Sequence, residues 1–124
     1  MVHQLAYGVD LGWLGQLESR GVRWVEKTQD RRELPEQKEV DPLCALKELG
    51  ADSVRLRVFV NPPKEAFWTK KDGTTCMLGF CDKESVMEMS KRVKAAGMRL
   101  MIDFHYSDHF ADPKYQDIPA EWEK

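Results

Sequence analysis

Between Ile102 and Pro113 the chain reads IDFHYSDHFADP, which brings together Asp103, His105, Asp108, His109 and Asp112 with the aromatics Phe104, Tyr106 and Phe110. Three chemistries use such residues. His105-x-x-Asp108-His109 has the spacing of metal ligands. A zinc site, however, needs several ligands converging with good geometry, and His3 is remote while the cysteines fall in other elements. Metal ligation is therefore the weaker reading, and neither metal nor cofactor is assigned. Glycoside hydrolysis needs two carboxyl groups flanking the scissile bond, about 5–5.5 Å apart for retention and farther apart for inversion. Asp103 and Asp108 are the nearby candidates, and neither has an evident acid-plus-nucleophile arrangement. The third reading makes the stretch one wall of a cleft whose chemistry is done elsewhere.

The elements that position these residues follow from pattern. Leu5–Asp10 is short, apolar and bounded by turn formers, as a buried strand would be. Trp13, Leu14 and Leu17 recur at helical spacing before Gly21. Thr28–Asp41 is polar and charged and reads as a surface loop. Asp41 can cap a helix with Pro42 in its first turn. Leu43, Leu46 and Leu49 form its apolar side and Gly50 its stop. Ser53–Val60 alternates and is β-branched, a second strand, halted by Asn61-Pro62-Pro63. Pro63–Cys81 is a long connection with a turn signal at Asp72-Gly73; connections of that length are often functional. Asp82 caps a further helix with Val86, Met89, Val93 and Ala96 on one stripe and a Glu88–Arg92 pair on its wet side. Arg99–Phe104 is the third strand. The order β-α-β-α-β implies parallel strands with helical crossovers. In such folds ligands sit at the carboxyl ends of the strands, here Asp10, Phe59–Asn61 and Asp103–His105.

Alternation puts Val54, Leu56, Val58 and Val60 on one face of the second strand and Arg55, Arg57 and Phe59 on the other. On the third strand Met101, Asp103 and His105 share a face. A parallel sheet covered on both sides should be apolar on both, and buried charges need partners. Asp103 is accordingly expected to face Arg55 or Arg57 across the strands. The pair could serve only to fix the core, or it could line a polar interior leading to a cleft. The polar, aromatic segment directly after the third strand favours the second reading.

Composition excludes several classes. The 124 residues are enough for one small domain, with 42 % hydrophobic and 32 % charged residues. A net charge of −2 draws the chain neither to nucleic acid nor to a membrane surface. No apolar run is long enough to span a bilayer. MVHQLAYG lacks the basic and apolar regions of a signal peptide. Of the three cysteines, Cys44 reads as a small buried hydrophobe. Cys76 and Cys81 are near enough to bridge in an oxidising compartment.

GVDLGWL, VRLRVFVNP, GFC and KRVKAAGMRLMIDFHYSDHFADPKYQDIPAEW together resemble the endo-β-1,4-galactanases of glycoside hydrolase family 53, which hydrolyse galactan side chains of pectin. The last segment is the most specific. The resemblance implies an α/β fold, a (β/α)8 TIM barrel of which residues 1–124 are the amino-terminal portion, about the first three β/α units. It implies a retaining mechanism with an acid/base glutamate after an asparagine at the end of the fourth strand and a nucleophilic glutamate at the end of the seventh. Both are then expected beyond Lys124. Glu121 and Glu123 are not their counterparts, and the chain alone is expected to be inactive. Arg55, His105, Asp108 and Phe110 match substrate-binding positions, with Phe110 where the family usually has tryptophan. Asp10, Arg57, Asp103 and Asp112 are expected to support them. The implied partner is β-1,4-galactan or arabinogalactan oligosaccharide, and the implied location is secreted or periplasmic. A barrel takes about 250 residues, so a three-strand piece with open edges is expected to self-associate or pair with a complementing fragment. The alternative function is a non-catalytic galactan-binding or protein-interaction module.

Overall fold

The computed structural model describes residues 5–26 and 38–124. His3 and most of the Thr28–Asp41 loop lie outside the described residues. The element order is β1 (Gly8–Asp10), α1 (Leu14–Ser19), α2 (Pro42–Glu48), β2 (Ser53–Val58), β3 (Phe67–Thr69), β4 (Thr75–Met77), α3 (Lys83–Ala95), β5 (Arg99–Phe104) and a short 3-10 turn at Ala120–Trp122.

β1, β2 and β5 form a parallel sheet in that order. The register sets Asp10 beside Arg55 and Arg57 beside Asp103. β2, the central strand, is the one with apolar residues at every second position, as burial between two neighbours requires. Val54 and Leu56 join Leu43, Val86, Val93 and Met98 in the main core. Burial of apolar surface stabilises by about 25 cal/mol per Å², and this cluster is the larger of two among the described residues. The helices that cover it start where their caps predict. Asp41 accepts the amides of Leu43 and Cys44 at 2.9 and 3.1 Å, and Asp82 accepts that of Ser85 at 2.9 Å. Each cap satisfies amides that a helix start leaves unpaired.

Several expectations need correction. β1 is shorter than Leu5–Asp10, and Leu5 and Tyr7 are exposed, because nothing among the described residues covers that edge. β2 ends at Val58 rather than Val60. Beyond it, the Phe59 and Val60 amides leave the ladder for the carbonyls of Cys81 and Ser107. Leu49 is exposed as the C-cap of α2, and Cys44 is exposed on the side opposite Leu43. Cys76 and Cys81 are both free: Cys76 pairs with Trp68 across β3–β4, while Cys81 is buried and directs its thiol at the carbonyls of Gly12 and Leu78. Burial pushes the Cys81 thiol up to about 11. Arg92 does not pair with Glu88. It makes a two-pronged contact with Glu18 of α1 (2.8 and 3.2 Å) and reaches Asp41 at 3.3 Å, while Glu88 takes Lys91. A solvated i,i+4 pair is worth only about 0.2–0.5 kcal/mol, too little to hold Arg92 from a forked partner.

The long connection after β2 also holds structure that its composition hid. β3 and β4 form an antiparallel hairpin turning at Asp72-Gly73. Asp72 accepts the Thr74 amide at 2.9 Å and Gly73 supplies a φ of +87°. The ends of the described segments flanking 27–37 also pair, with Val25 bridged to Glu39.

Candidate functional site

The carboxyl end of the sheet carries a linked set of charges. Arg55 of β2 lies between carboxylates from both flanking strands: Nη1 donates to Asp10 Oδ2 at 2.6 Å, and Nη2 donates to Asp103 Oδ2. The pairing expected from strand alternation is thus present, with Arg55 as the partner of Asp103. Burial acts against the guanidinium charge, and the Asp103 and Asp10 carboxylates outweigh it, raising its proton affinity. Its side chain is still 42 % exposed, so it is fixed yet open to a ligand.

Arg57 is different. Its side chain is 5 % exposed, and Nη1 donates to both oxygens of Asp10 at 3.2 Å. Nε and Nη2 have no hydrogen-bond acceptor among the described residues. The cation instead lies 4.0 Å from the ring centre of Trp13 and 5.2 Å from that of Phe110, whose π-faces offset part of its desolvation. This packing requires a glycine at position 12, where a Cβ would collide with Arg57 Nη2. Trp13 is itself held, its indole N–H donating to the Met77 carbonyl at 2.9 Å. Trp13 and Phe110 are 6.2 Å apart at 48° and form an open aromatic angle above the arginine.

His105 joins the same network. The Ala111 amide donates to Nδ1 at 3.4 Å, which leaves Nε2–H to donate to Asp103 Oδ2 at 3.1 Å. A hollow of about 440 Å³ lies beside it, lined by Tyr106, Ile118 and Trp122 among others. Asp10, Arg55, Arg57, Asp103, His105 and Phe110 are therefore brought together.

Asp108 and Asp112 sit apart from that network. The Asp108 oxygens accept the backbone amides of Asn61 (2.9 Å) and Ala120 (3.0 Å), tying the loop after β2 to the 3-10 turn. Asp112 accepts the amides of Lys114 and Tyr115 in a local turn. His109 turns away from His105, stacking on Trp68 and bonding to Asp117. Among the described residues no group of three or more His, Cys, Asp or Glu side chains could hold a metal ion.

Sequence reasoning missed Trp13, Trp68 and Gln16 as site-building residues. Helical spacing groups Trp13 with Leu14 and Leu17, although it precedes α1. Gln16 is buried and joins Ala66 to Gly79 through its two amide atoms. No periodicity marks such a bridge.

The sequence model of glycosyl hydrolase family 53 matches residues 6–124. The chain belongs to glycosyl hydrolase family 53. Among curated relatives of this family 53 chain, the arabinogalactan endo-β-1,4-galactanase of Cellvibrio japonicus is 36 % identical over 93 % of this chain and 25 % of its own length. The endo-β-1,4-galactanase of Bacillus subtilis is 30 % identical over 93 % of this chain and 24 % of its own. Among solved structures, the family 53 catalytic domain of Ignisphaera aggregans superposes with a TM-score of 0.71 at 31 % identity, covering 93 % of this chain and 28 % of that one. A fungal β-1,4-galactanase gives 0.70 at 33 % identity, covering 96 % and 29 %. The family 53 chain described here thus spans about a quarter of the length of the curated relatives it matches.

Proposed function

We propose that this chain forms one wall of the substrate cleft of a retaining endo-β-1,4-galactanase, with β-1,4-galactan or arabinogalactan as the ligand. β1, β2 and β5 are then the first three strands of a (β/α)8 barrel, and residues 1–124 the amino-terminal portion of that domain. The single observation that carries this reading is Arg55, a guanidinium braced by Asp10 and Asp103 at the carboxyl ends of parallel strands and still open to solvent. A cation so braced can donate to sugar hydroxyls without being reoriented first, which is how positioning lowers the cost of binding. Phe110 and Trp13 supply apolar faces for a pyranose ring, and His105 and Asp108 complete the polar rim. Asp112 supports the loop behind them.

Hydrolysis by retention needs one carboxyl free to give a proton and another free to attack. Around Arg55, Asp10 is shared by two arginines and Asp103 by an arginine and a histidine. Neither is free for either role. The acid/base and nucleophile are glutamates outside these residues, and the 124-residue chain by itself does not turn over galactan. Release of reducing ends from β-1,4-galactan by the purified chain would overturn that statement. Calorimetry with galactan oligosaccharides tests the wall itself: binding is expected, and Phe110→Ala should weaken it at least several-fold. No heat with the wild-type chain would remove the reading.

The second reading is a non-catalytic module that binds galactan or a protein partner. It is favoured by the exposure of Phe104, Tyr106, Ile118 and Trp122, which line one hollow, and by that of Leu5, Tyr7 and Leu49. Such faces also support self-association or pairing with a complementing fragment. A compact monomer in sedimentation would count against association. Action on a polymer too large to enter cells places the protein outside the cytoplasm, secreted or periplasmic.

A further inference from the structure

We propose that His109 is a protonation-dependent latch holding the β3–β4 hairpin against the segment that follows β5. The inference rests on the hairpin's own geometry and holds whether or not the cleft takes galactan. Both ring nitrogens of His109 face acceptors. Nδ1 is 2.9 Å from the Phe110 carbonyl oxygen, which can only accept, so that nitrogen carries a proton. Nε2 is 3.0 Å from Asp117 Oδ2, and an ionised carboxylate also only accepts. The ring satisfies both contacts only as the imidazolium. In that form it lies flat on the Trp68 indole of β3, with centroids 3.9 Å apart and planes within 3°, a cation on a π-face. The His109 side chain is 12 % exposed, and Asp117 meets it from the solvent side at 51 % exposure.

The other ionisable groups nearby leave this arrangement in place. Tyr115 meets the edge of Trp68 at 5.1 Å. Lys70 of the hairpin lies 6.0 Å from the Trp68 ring and 5.6 Å from Tyr115; its like charge opposes the imidazolium, from beyond hydrogen-bond reach. Asp108 and Asp112 are occupied by backbone amides. Asp117 is the ionised group in contact.

Loss of either ring proton leaves a lone pair aimed at an oxygen and removes the cation from the indole. The latch is therefore made while both ring nitrogens of His109 carry protons and Asp117 is ionised, and it loosens when the ring gives up a proton. The hairpin base stays pinned by Gln16 and by the Leu78–Ala66 backbone bond. What is released is the tip around Lys70–Thr74.

A stacked imidazolium quenches indole emission, which gives a direct readout on the 124-residue chain. Tryptophan emission should rise as the pH is taken from about 5.5 to about 8. The rise should be lost in both His109→Gln and Trp68→Phe. Asp117→Asn keeps an acceptor but removes the charge, and should move the midpoint to lower pH. Tryptic cleavage after Lys70 or Lys71, at a pH where the wild-type emission is still quenched, should be faster in Asp117→Asn than in the wild type. Flat emission in the wild type, or a rise retained in His109→Gln, overturns the proposal. If His109→Gln does not fold, an unchanged midpoint in Asp117→Asn overturns it as well.

Discussion

The two faces of β2 solve opposite problems with alternate residues of one strand. Toward the helices, Val54 and Leu56 are held by shape and apolar area among Leu43, Val86, Val93 and Met98. Toward the strand ends, Arg55 and Arg57 are held by carboxylates from β1 and β5 and by aromatic faces. An apolar contact has no direction and tolerates exchange for another of similar volume. A buried cation is stable only while its named partners remain. The first face is thus the general one, and the second is tied to particular residues.

The most severe test of this contrast is Asp10→Ala. It removes the only acceptor of Arg57 among the described residues and should destabilise the chain by about 3–5 kcal/mol in urea unfolding. Adding Arg57→Met should recover much of that loss, because the damage is an uncompensated buried charge rather than a missing volume. No recovery would mean the inner face is held by something other than pairing. Leu56→Ala should cost about 2–5 kcal/mol and leave the binding of galactan oligosaccharides by the folded fraction unchanged. A second-site change on the inner face should not rescue it. Asp82→Ala, which removes the cap of α3, should cost about 1 kcal/mol, measured by the same unfolding curves.

The smallest effect is in acid. At Asp41, burial raises proton affinity, but the amides of Cys44 and Leu43 and the charge of Arg92 outweigh it and leave the group lowered. At Asp82, burial is likewise outweighed by the Ser85 hydroxyl and amide. A lowered carboxylate contributes stability above its unfolded value of about 3.9 and loses it as the pH falls through the folded value. The urea midpoint should therefore decline below about pH 4. Asp82→Asn should decline less steeply than the wild type.

The same contrast explains what the sequence disclosed. Period and caps gave the three parallel strands and both longer helices, since Asp41-Pro42 and Asp82 are local signals and Val54/Leu56 alternate. The Arg55–Asp103 pair could be inferred because strand alternation is geometric. Leu5 and Leu49 misled, since a pattern shows which residues can be buried and not whether anything covers them. The β3–β4 hairpin was legible only at Asp72-Gly73, because Phe67–Thr69 and Thr75–Met77 are too short for alternation to register. The Trp68–His109 stack joins residues 41 positions apart in different elements, and no local spacing encodes it. That Asp108 accepts the amides of Asn61 and Ala120 is not legible in the sequence, because a carboxylate bound to backbone has the same letter as one facing solvent.

Gln16 changes the nature of the long excursion between β2 and α3. Its side-chain amide takes the place of a peptide unit, accepting the Gly79 amide and donating to the Ala66 carbonyl. Gly79 in turn packs so closely on the Gly12 carbonyl that no side chain fits there. The excursion is thereby divided into short segments, each closed separately. Because closure entropy grows only with the logarithm of loop length, added residues at the hairpin tip would cost little, whereas one changed atom at its root, as in Gln16→Glu, would put a carboxylate oxygen against a carbonyl. The tip is free to vary in length and sequence, and the root is not.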